Sequence, residues 1–135
     1  MPRLTYPARF EYLDDIRSRV AEQARAAGFD DKAVYAIQLA ADEAASNIIE
    51  HAYAGRTDGS LDVDCEIVND RIVITFYDQG VPFDITKVQN PDLKADLSER
   101  KIGGLGIYLM RKLMDQVHYE SQGSENILTL AKRKG

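Results

Sequence analysis

The sequence has little cysteine, no long apolar run and no excess of basic residues. Its one cysteine, Cys65, cannot form a disulfide within the chain or supply a cysteine-rich metal site, and its place in an alternating run predicts a small buried residue. No run of about 18 apolar residues is present, so we expect no membrane span. The first residues also lack the apolar core of a signal peptide. These absences predict a cytoplasmic protein.

Basic charge is outweighed by acidic charge. The chain carries 22 acidic and 17 basic residues, a formal net charge of -5. General binding of nucleic acid needs a basic footprint, so this balance argues against it. The only short basic run, residues 132–134, is typical of a solvated chain end. With 135 residues, 44% of them hydrophobic, the chain is predicted to form a single domain, 1–135, with a real core.

Three segments have the periodicity of helices. Apolar residues recur at helical spacing from Phe10 to Ala27, and a second helix is predicted from a cap at Asp30 or Asp31 to about Tyr53. A third helix is predicted to start at the glycines of residues 103–106.

The strands are predicted from alternation and turn residues. Residues 61–67 and 71–77 alternate around an Asn-Asp turn, and residues 117–122 and 127–133 flank a Gly-Ser turn. Residues 3–8 are short enough for an edge strand. This element order predicts an α+β fold, a two-layer α/β sandwich whose mostly antiparallel sheet is covered on one face by helices. Residues 85–102 have no steady period, and a loop this long usually forms a lid or a binding loop.

The second predicted helix carries a polar stripe. Glu43 and Asn47 are four residues apart, about 40° around the helix, and Glu50 falls between their directions. A carboxylate can act as a general base, and an amide oxygen can ligate a hard cation. Such residues on a helix are more often simply solvated. His51 follows Asn47 by one turn, and we expect it to line the same pocket.

Glycines at the start of the third helix form a candidate phosphate cradle. Gly103, Gly104, Leu105 and Gly106 would let the backbone approach an anion closely, with the helix dipole favouring negative charge. Lys101 just upstream would add positive charge. A flexible hinge into the helix explains the glycines equally well. A Walker P-loop is excluded, because no Gly-Lys-Ser/Thr follows them.

Asp78 and Gly80 mark the end of a predicted strand. A buried carboxylate there could accept a hydrogen bond from a ligand amino group, and the glycine would leave room for a flat ring. Taken alone, the pair is more typical of an ordinary Asp-x-Gly turn.

In this order the three weak sites resemble the GHKL ATPase superfamily, and most of all its anti-sigma-factor serine/threonine kinase branch. Residues 43–53 look like the N-box, Glu-x-x-x-Asn followed by Ile-x-x-His-Ala-Tyr. Residues 78–84 look like the G1 box in the form Asp-x-Gly-x-Pro-Phe-Asp, and residues 103–115 look like the G2 box. The resemblance covers nearly the whole chain and implies the Bergerat fold, that of the histidine-kinase-like ATPases.

The resemblance also implies roles for individual residues. Asn47 would hold Mg²⁺, Asp78 would bond the adenine amino group of ATP with Gly80 beside the ring, and Glu43 would be the general base. Backbone N–H groups of the cradle, at residues 104–106, would bind phosphate, and Gly103 would allow lid closure. Phosphoryl transfer needs mainly positioning, a metal and a weak base, which agrees with this set.

Two positions depart from the wider pattern. Pro82 replaces the second glycine of the Asp-x-Gly-x-Gly box, which separates the chain from histidine kinases and gyrase and fits the small kinase branch. Lys101 stands near the place where family members often have an arginine, so the phosphate-side cation is a point charge and not a fork.

The resemblance implies a serine/threonine kinase that acts as an anti-sigma factor. Its partners would be a sigma factor and a STAS-type anti-anti-sigma protein, which it would phosphorylate on serine, and it would form a homodimer. The alternative is a nucleotide-binding, partner-switching module without catalysis. A third hypothesis, a domain that never binds nucleotide, requires all three boxes to be coincidental.

Overall fold

The computed structural model describes residues 3–54, 56, 58–84 and 104–135. Its strands form one antiparallel sheet in the order β1-β2-β3-β5-β4. The strands are β1 (Leu4–Pro7), β2 (Ser60–Val68), β3 (Arg71–Asp78), β4 (Gln116–Gln122) and β5 (Glu125–Arg133). Asn69 has a φ of 58° in the β2–β3 turn and Gly123 a φ of 62° in the β4–β5 turn. Both predicted hairpins and the edge strand are therefore confirmed.

The helices lie on one face of this sheet. A 3-10 turn (Phe10–Tyr12) leads into α1 (Leu13–Ala26), which is followed by α2 (Asp31–Asn47), a π-helical turn (Ile48–Ala52) and α3 (Gly104–Leu113). Helix α2 packs on α1, α3 and β3, so it occupies the middle of the helical layer. The predicted α+β sandwich is confirmed. Within the described ranges, no helix is long and apolar enough to cross a membrane.

The core lies between the sheet and α2. The inward side chains of β2, β3 and β5 are buried: Leu61, Val63, Cys65, Ile72, Ile74, Phe76, Leu128 and Leu130. Burial confirms the expectation for Cys65 and raises the pKa of its thiol to about 11. The buried residues of α2 include several small ones, namely Ala36, Ala40, Ala41, Ala44 and Ala45. Small side chains let neighbouring backbones approach closely, which brings α2 near both α1 and α3.

The second helix has a predicted cap but a different end. Asp30, one of the two predicted caps, is the cap, because its carboxylate accepts from the backbone N–H of Ala33 at 2.8 Å. The α-helix ends at Asn47 and continues as the π turn, which changes the direction of the side chains that follow. Glu50 is exposed whereas Asn47 is 3% exposed, so the predicted polar stripe on a solvated face is wrong at Asn47.

The basic residues near the end of the chain have structural contacts. Lys132 Nζ donates to the carbonyl of Leu113 at 2.7 Å, at the end of α3. Lys134 Nζ donates to the carbonyl of Ala27 at 2.9 Å, just past α1. Cations bind favourably at helix C-termini, where carbonyls lack partners within the helix. The prediction of a solvated basic end is therefore wrong for Lys132, which is only partly exposed, whereas Lys134 is exposed as predicted.

Candidate active site

Glu43 and Asn47 form a bonded pair on the last turns of α2. Asn47 Nδ2 donates to the Glu43 backbone carbonyl at 2.7 Å and to Glu43 Oε1 at 2.9 Å. The amide nitrogen is therefore committed to Glu43, and Asn47 also lines the pocket described below. The amide oxygen is the atom of this side chain that could ligate a hard cation such as Mg²⁺. The described residues contain no group of three or more His, Cys, Asp or Glu side chains placed to hold a metal ion.

The carboxylate of Glu43 is half-buried beside the first turn of α3. Burial raises the pKa of this carboxyl above its ordinary value, and the hydrogen bond from Asn47 opposes the shift. A Cβ added to Gly106 would overlap this carboxylate. The fold thus brings Glu43 and the predicted cradle together, although 63 positions separate Glu43 from Gly106 in the chain.

Asp78 ends β3 in a buried position, with 5% of its surface exposed. Its Oδ1 accepts from the N–H of Gly80 at 2.9 Å and from Asn126 Nδ2 at 2.8 Å. Burial raises the pKa of the Asp78 carboxyl, and these two hydrogen bonds oppose the shift. Since both bonds from the described residues end on Oδ1, Oδ2 is the atom that a ligand amino group would use.

Sequence reasoning missed Asn126. It lies opposite Asp78 in the β3–β5 register and is 2% exposed. Its Nδ2 also donates to the Gly80 carbonyl at 2.9 Å, and its Oδ1 accepts from Ser121 Oγ at 2.8 Å. Asn126 therefore orients both Asp78 and the loop after it. Only the pairing register reveals this role, because in sequence Asn126 looks like part of the turn around Gly123.

Gly80 allows the loop after β3 to pack against the π turn. A Cβ at this position would collide with the backbone carbonyl of Ala52. The same carbonyl accepts from the N–H of Val81 at 2.7 Å. Any larger residue would push the loop away from Ala52, so the structure gives Gly80 a packing role in addition to the predicted space for a ring.

A narrow pocket separates these two halves of the site. Its lining combines helix-layer residues with residues of the sheet and the loop after β3: Ala44, Asn47, Ile48, Ala52, Asp78, Phe83, Tyr119 and Leu128. Tyr119 Oη accepts from the N–H of Phe83 at 3.0 Å, which holds the loop in place. The walls are mostly apolar, with Asp78 and Asn47 as polar groups. In the free protein they enclose room for only about one water molecule, so a flat ring would enter only if the walls moved apart.

His51 is not among the described residues that line the pocket, but it stacks on Phe83, which is one of them. The two rings are stacked, with centroids 4.6 Å apart and an interplanar angle of 29°. His51 Nε2 is buried and has no hydrogen-bond partner in the described part of the chain. We expected His51 to line the pocket, but the structure places it next to a residue that does.

The cradle is described in part. Gly104, Leu105 and Gly106 are the first three residues of α3, as predicted for a helix that starts at the glycines. Lys101 and Gly103 lie outside the described residues, as does the predicted loop of residues 85–102. Binding of phosphate by residues 104–106 stays a prediction.

Asp78 gives a pH-dependent prediction for the free protein. A carboxyl with a raised folded pKa stabilises the fold most below its unfolded pKa, and this contribution is lost as pH rises through the folded pKa. Asp78→Asn keeps Oδ1 as an acceptor and removes the buried charge. We therefore expect the variant to melt above the parent protein at pH 7–8, by about 2–4 °C.

The advantage of Asp78→Asn should shrink as the pH falls towards 4, where the parent carboxyl is protonated. Thermal melts followed by circular dichroism across this range measure it. Asp58→Asn is the matched control, since it makes the same chemical change at an exposed side chain. A melting difference that does not vary with pH would contradict the prediction.

The family profile for the histidine kinase-like ATPase domain matches residues 6–132. A serine-protein kinase RsbW from Listeria monocytogenes is 34% identical over 131 residues, which are 93% of this chain and 83% of that protein. A serine-protein kinase RsbW from Bacillus licheniformis is 37% identical over 122 residues, which are 84% of this chain and 74% of that protein.

Solved structures share the fold at lower identity. The RsbU and RsbW domains of a Mycobacterium tuberculosis protein match with a TM-score of 0.65 and 17% identity over 99% of this chain, which spans only 33% of that chain. The catalytic domain of the histidine kinase ThkA matches with a TM-score of 0.58 and 15% identity, over 99% of this chain and 97% of that one. The fold is therefore that of a histidine kinase-like ATPase domain.

The chain belongs to the histidine kinase-like ATPase family and, within it, to the RsbW serine-protein kinases. The resemblance inferred from the three boxes is confirmed.

Proposed function

We propose that this chain is an ATP-dependent protein kinase that binds a sigma factor and phosphorylates a small STAS-type anti-anti-sigma protein on serine. The observation that carries the proposal is the meeting of Glu43, Asn47 and the start of α3 at one place, in a chain of the RsbW family. A pocket with Asp78 at its end lies beside them. In this arrangement Glu43 would be the base, Asn47 the metal ligand and Asp78 the acceptor for adenine, all around one cleft.

Asp78 and Asn47 would hold the nucleotide from two ends of the pocket. Asp78 Oδ2 would accept from the adenine amino group, while Oδ1 stays bound to Asn126 and Gly80. The amide oxygen of Asn47 would ligate Mg²⁺, which when bound neutralises phosphate charge. Backbone N–H groups at the start of α3 would bind the phosphates, because the N-terminal N–H groups of a helix have no partners within it.

Glu43 would take the proton from the serine hydroxyl as the phosphoryl group moves to it. The base need only be weak, because phosphoryl transfer depends mainly on positioning and charge stabilisation. A carboxyl with a raised pKa is a better proton acceptor than an ordinary one. Its bond to Asn47 would keep the base next to the metal ligand.

The same kinase domain would also decide whether the sigma factor is bound or free. The sigma factor and the STAS-type protein are proposed from the family to which the chain belongs, and a cytoplasmic homodimer is proposed with them. Such a kinase would release its sigma factor when the antagonist binds and would inactivate the antagonist by phosphorylating it.

A thermal melt with nucleotide tests the site directly. Mg²⁺-ATP at a hundredfold excess over its dissociation constant should stabilise the fold by about 2.7 kcal/mol. GTP is the matched control, because guanine carries a carbonyl where adenine carries the amino group that Asp78 would accept from. Equal shifts with both nucleotides, or no shift at millimolar ATP, would refute the proposed adenine site. Repeating the ATP melt with EDTA shows how much of the shift needs Mg²⁺.

A further inference from the structure

Gly106 and the Glu43 carboxylate are so close that no side chain would fit at position 106 without moving the carboxylate. Gly106 is the third residue of α3, and α3 packs directly on α2. A Cβ built on Gly106 would overlap Oε1, Cδ and Oε2 of Glu43 together. The missing side chain therefore leaves a notch in α3 that the whole carboxyl group of Glu43 fills.

The opposite side of the carboxylate is also held. Asn47 Nδ2 donates to Oε1 at 2.9 Å, and the same nitrogen is anchored to the Glu43 backbone carbonyl at 2.7 Å. The carboxylate thus lies between an amide on its own helix and a notch in the neighbouring helix. Free rotation of a glutamate side chain is restricted by such packing, which costs conformational entropy but defines one position for the charge.

We propose that Gly106 is a positioning residue, whose missing side chain forms the notch that holds the Glu43 carboxylate against Asn47. This role is separate from the binding of phosphate by the backbone of α3. It rests on the proposed function only in that Glu43 is the base; the contact itself exists in the free protein.

The nature of the contact predicts what a methyl group would do. The overlapping atoms are the far end of a flexible side chain and not backbone. Gly106→Ala should therefore displace the Glu43 carboxylate into solvent and leave α2 and α3 in place. Asn47 would keep its bond to the backbone carbonyl and lose its bond to the carboxylate, so the base would no longer be fixed beside the metal ligand.

A double-mutant cycle, followed by thermal melts without nucleotide, tests whether a methyl group at position 106 clashes with the Glu43 carboxylate. Alanine favours a helix over glycine, so Gly106→Ala in a Glu43→Ala background should raise Tm by about 2–4 °C. In the parent background the same change should give no rise or a fall, because the methyl group meets the carboxylate. A Glu50→Ala background is the matched control, since Glu50 is an exposed glutamate near the same end of the helix, and there Gly106→Ala should behave as in the parent.

Equal effects of Gly106→Ala on Tm in the parent and in the Glu43→Ala background would overturn the proposal, and so would failure to fold in both. A second measurement follows the position of the carboxylate itself. A crystal structure of Gly106→Ala should show the Glu43 carboxylate moved out of the notch and its hydrogen bond to Asn47 Nδ2 broken. A carboxylate that keeps its place beside Asn47 would also overturn the proposal.

Both tests use the free protein, so their outcome is independent of ATP binding. If the double-mutant cycle shows coupling between positions 43 and 106 but Mg²⁺-ATP does not raise Tm, the proposed function is refuted and the positioning role of Gly106 is supported. If Mg²⁺-ATP raises Tm but the cycle shows no coupling, the positioning role is refuted and the nucleotide site is supported.

Discussion

Glu43→Ala should slow phosphoryl transfer to a STAS-type partner by about 10²–10⁴-fold, which is the usual contribution of a general base. Binding of Mg²⁺-ATP should change by no more than about threefold, since Glu43 is not among the residues that line the pocket beside Asp78. Single-turnover transfer from radiolabelled ATP measures the rate, and a fluorescent ATP analogue measures the affinity. Loss of transfer with retained binding would exclude the catalysis-free, partner-switching module.

Replacing Glu43 by glutamine separates its role as a base from its role in orienting Asn47, which replacement by alanine cannot do. In Glu43→Gln the amide oxygen can still accept from Asn47 Nδ2, so the orientation of Asn47 is retained while the base is removed. If Glu43 is the base, the glutamine and alanine variants should be equally slow. If Glu43 acts only by orienting Asn47, Glu43→Gln should keep most of the rate. Glu50→Ala, at an exposed glutamate three positions beyond Asn47, should transfer at the parent rate.

Asp78→Asn should weaken ATP binding about 10–150-fold, the loss expected when a hydrogen bond to a buried charged group is replaced by a mismatch. Both hydrogen bonds from Gly80 and Asn126 end on Oδ1, which an asparagine retains. The variant therefore has an NH₂ group only in place of Oδ2. This NH₂ group would face the adenine amino group, and because both groups are donors they cannot form a hydrogen bond. Isothermal titration with Mg²⁺-ATP measures the change.

The control for this second prediction is the same variant without ligand. Asp78→Asn should be at least as stable as the parent protein at neutral pH, because the buried charge is removed. Weak binding by a well-folded variant then reports on recognition and not on unfolding. An ATP affinity equal to that of the parent would show that Asp78 does not contact the base. Only the absence of ATP binding in the parent protein itself would favour a domain without a nucleotide site.

Sequence patterns singled out candidate residues but not their contacts. Glu43, Asn47 and Asp78 were predicted because each lies in a recognisable motif at an element boundary. Asn126 was missed because its contact with Asp78 depends on the β3–β5 register, which no local pattern specifies. His51 was expected to line the pocket, whereas the structure places it in a stack with Phe83, which does line it.

The error at Asn47 has a clear physical origin. A helical wheel assumes one face towards the core and another towards solvent. Helix α2 does have a solvated face, on which Tyr35 and Leu39 are exposed, but Asn47 is not on it and instead lines the pocket between the helices and the sheet. The π turn after Asn47 then separates it from Glu50, because the wider turn breaks the periodicity that joined them in the prediction.

By itself the sequence determined the order of helices and strands, the hairpin turns, the burial of Cys65 and the family. These follow from local periodicity, from turn residues and from motifs that are contiguous in the chain. Only the tertiary structure decided that Gly106 receives the Glu43 carboxylate and that Asn126 orients Asp78. Both contacts join residues more than 40 positions apart, and their distances depend on how two helices pack and how two strands pair, which no local pattern specifies.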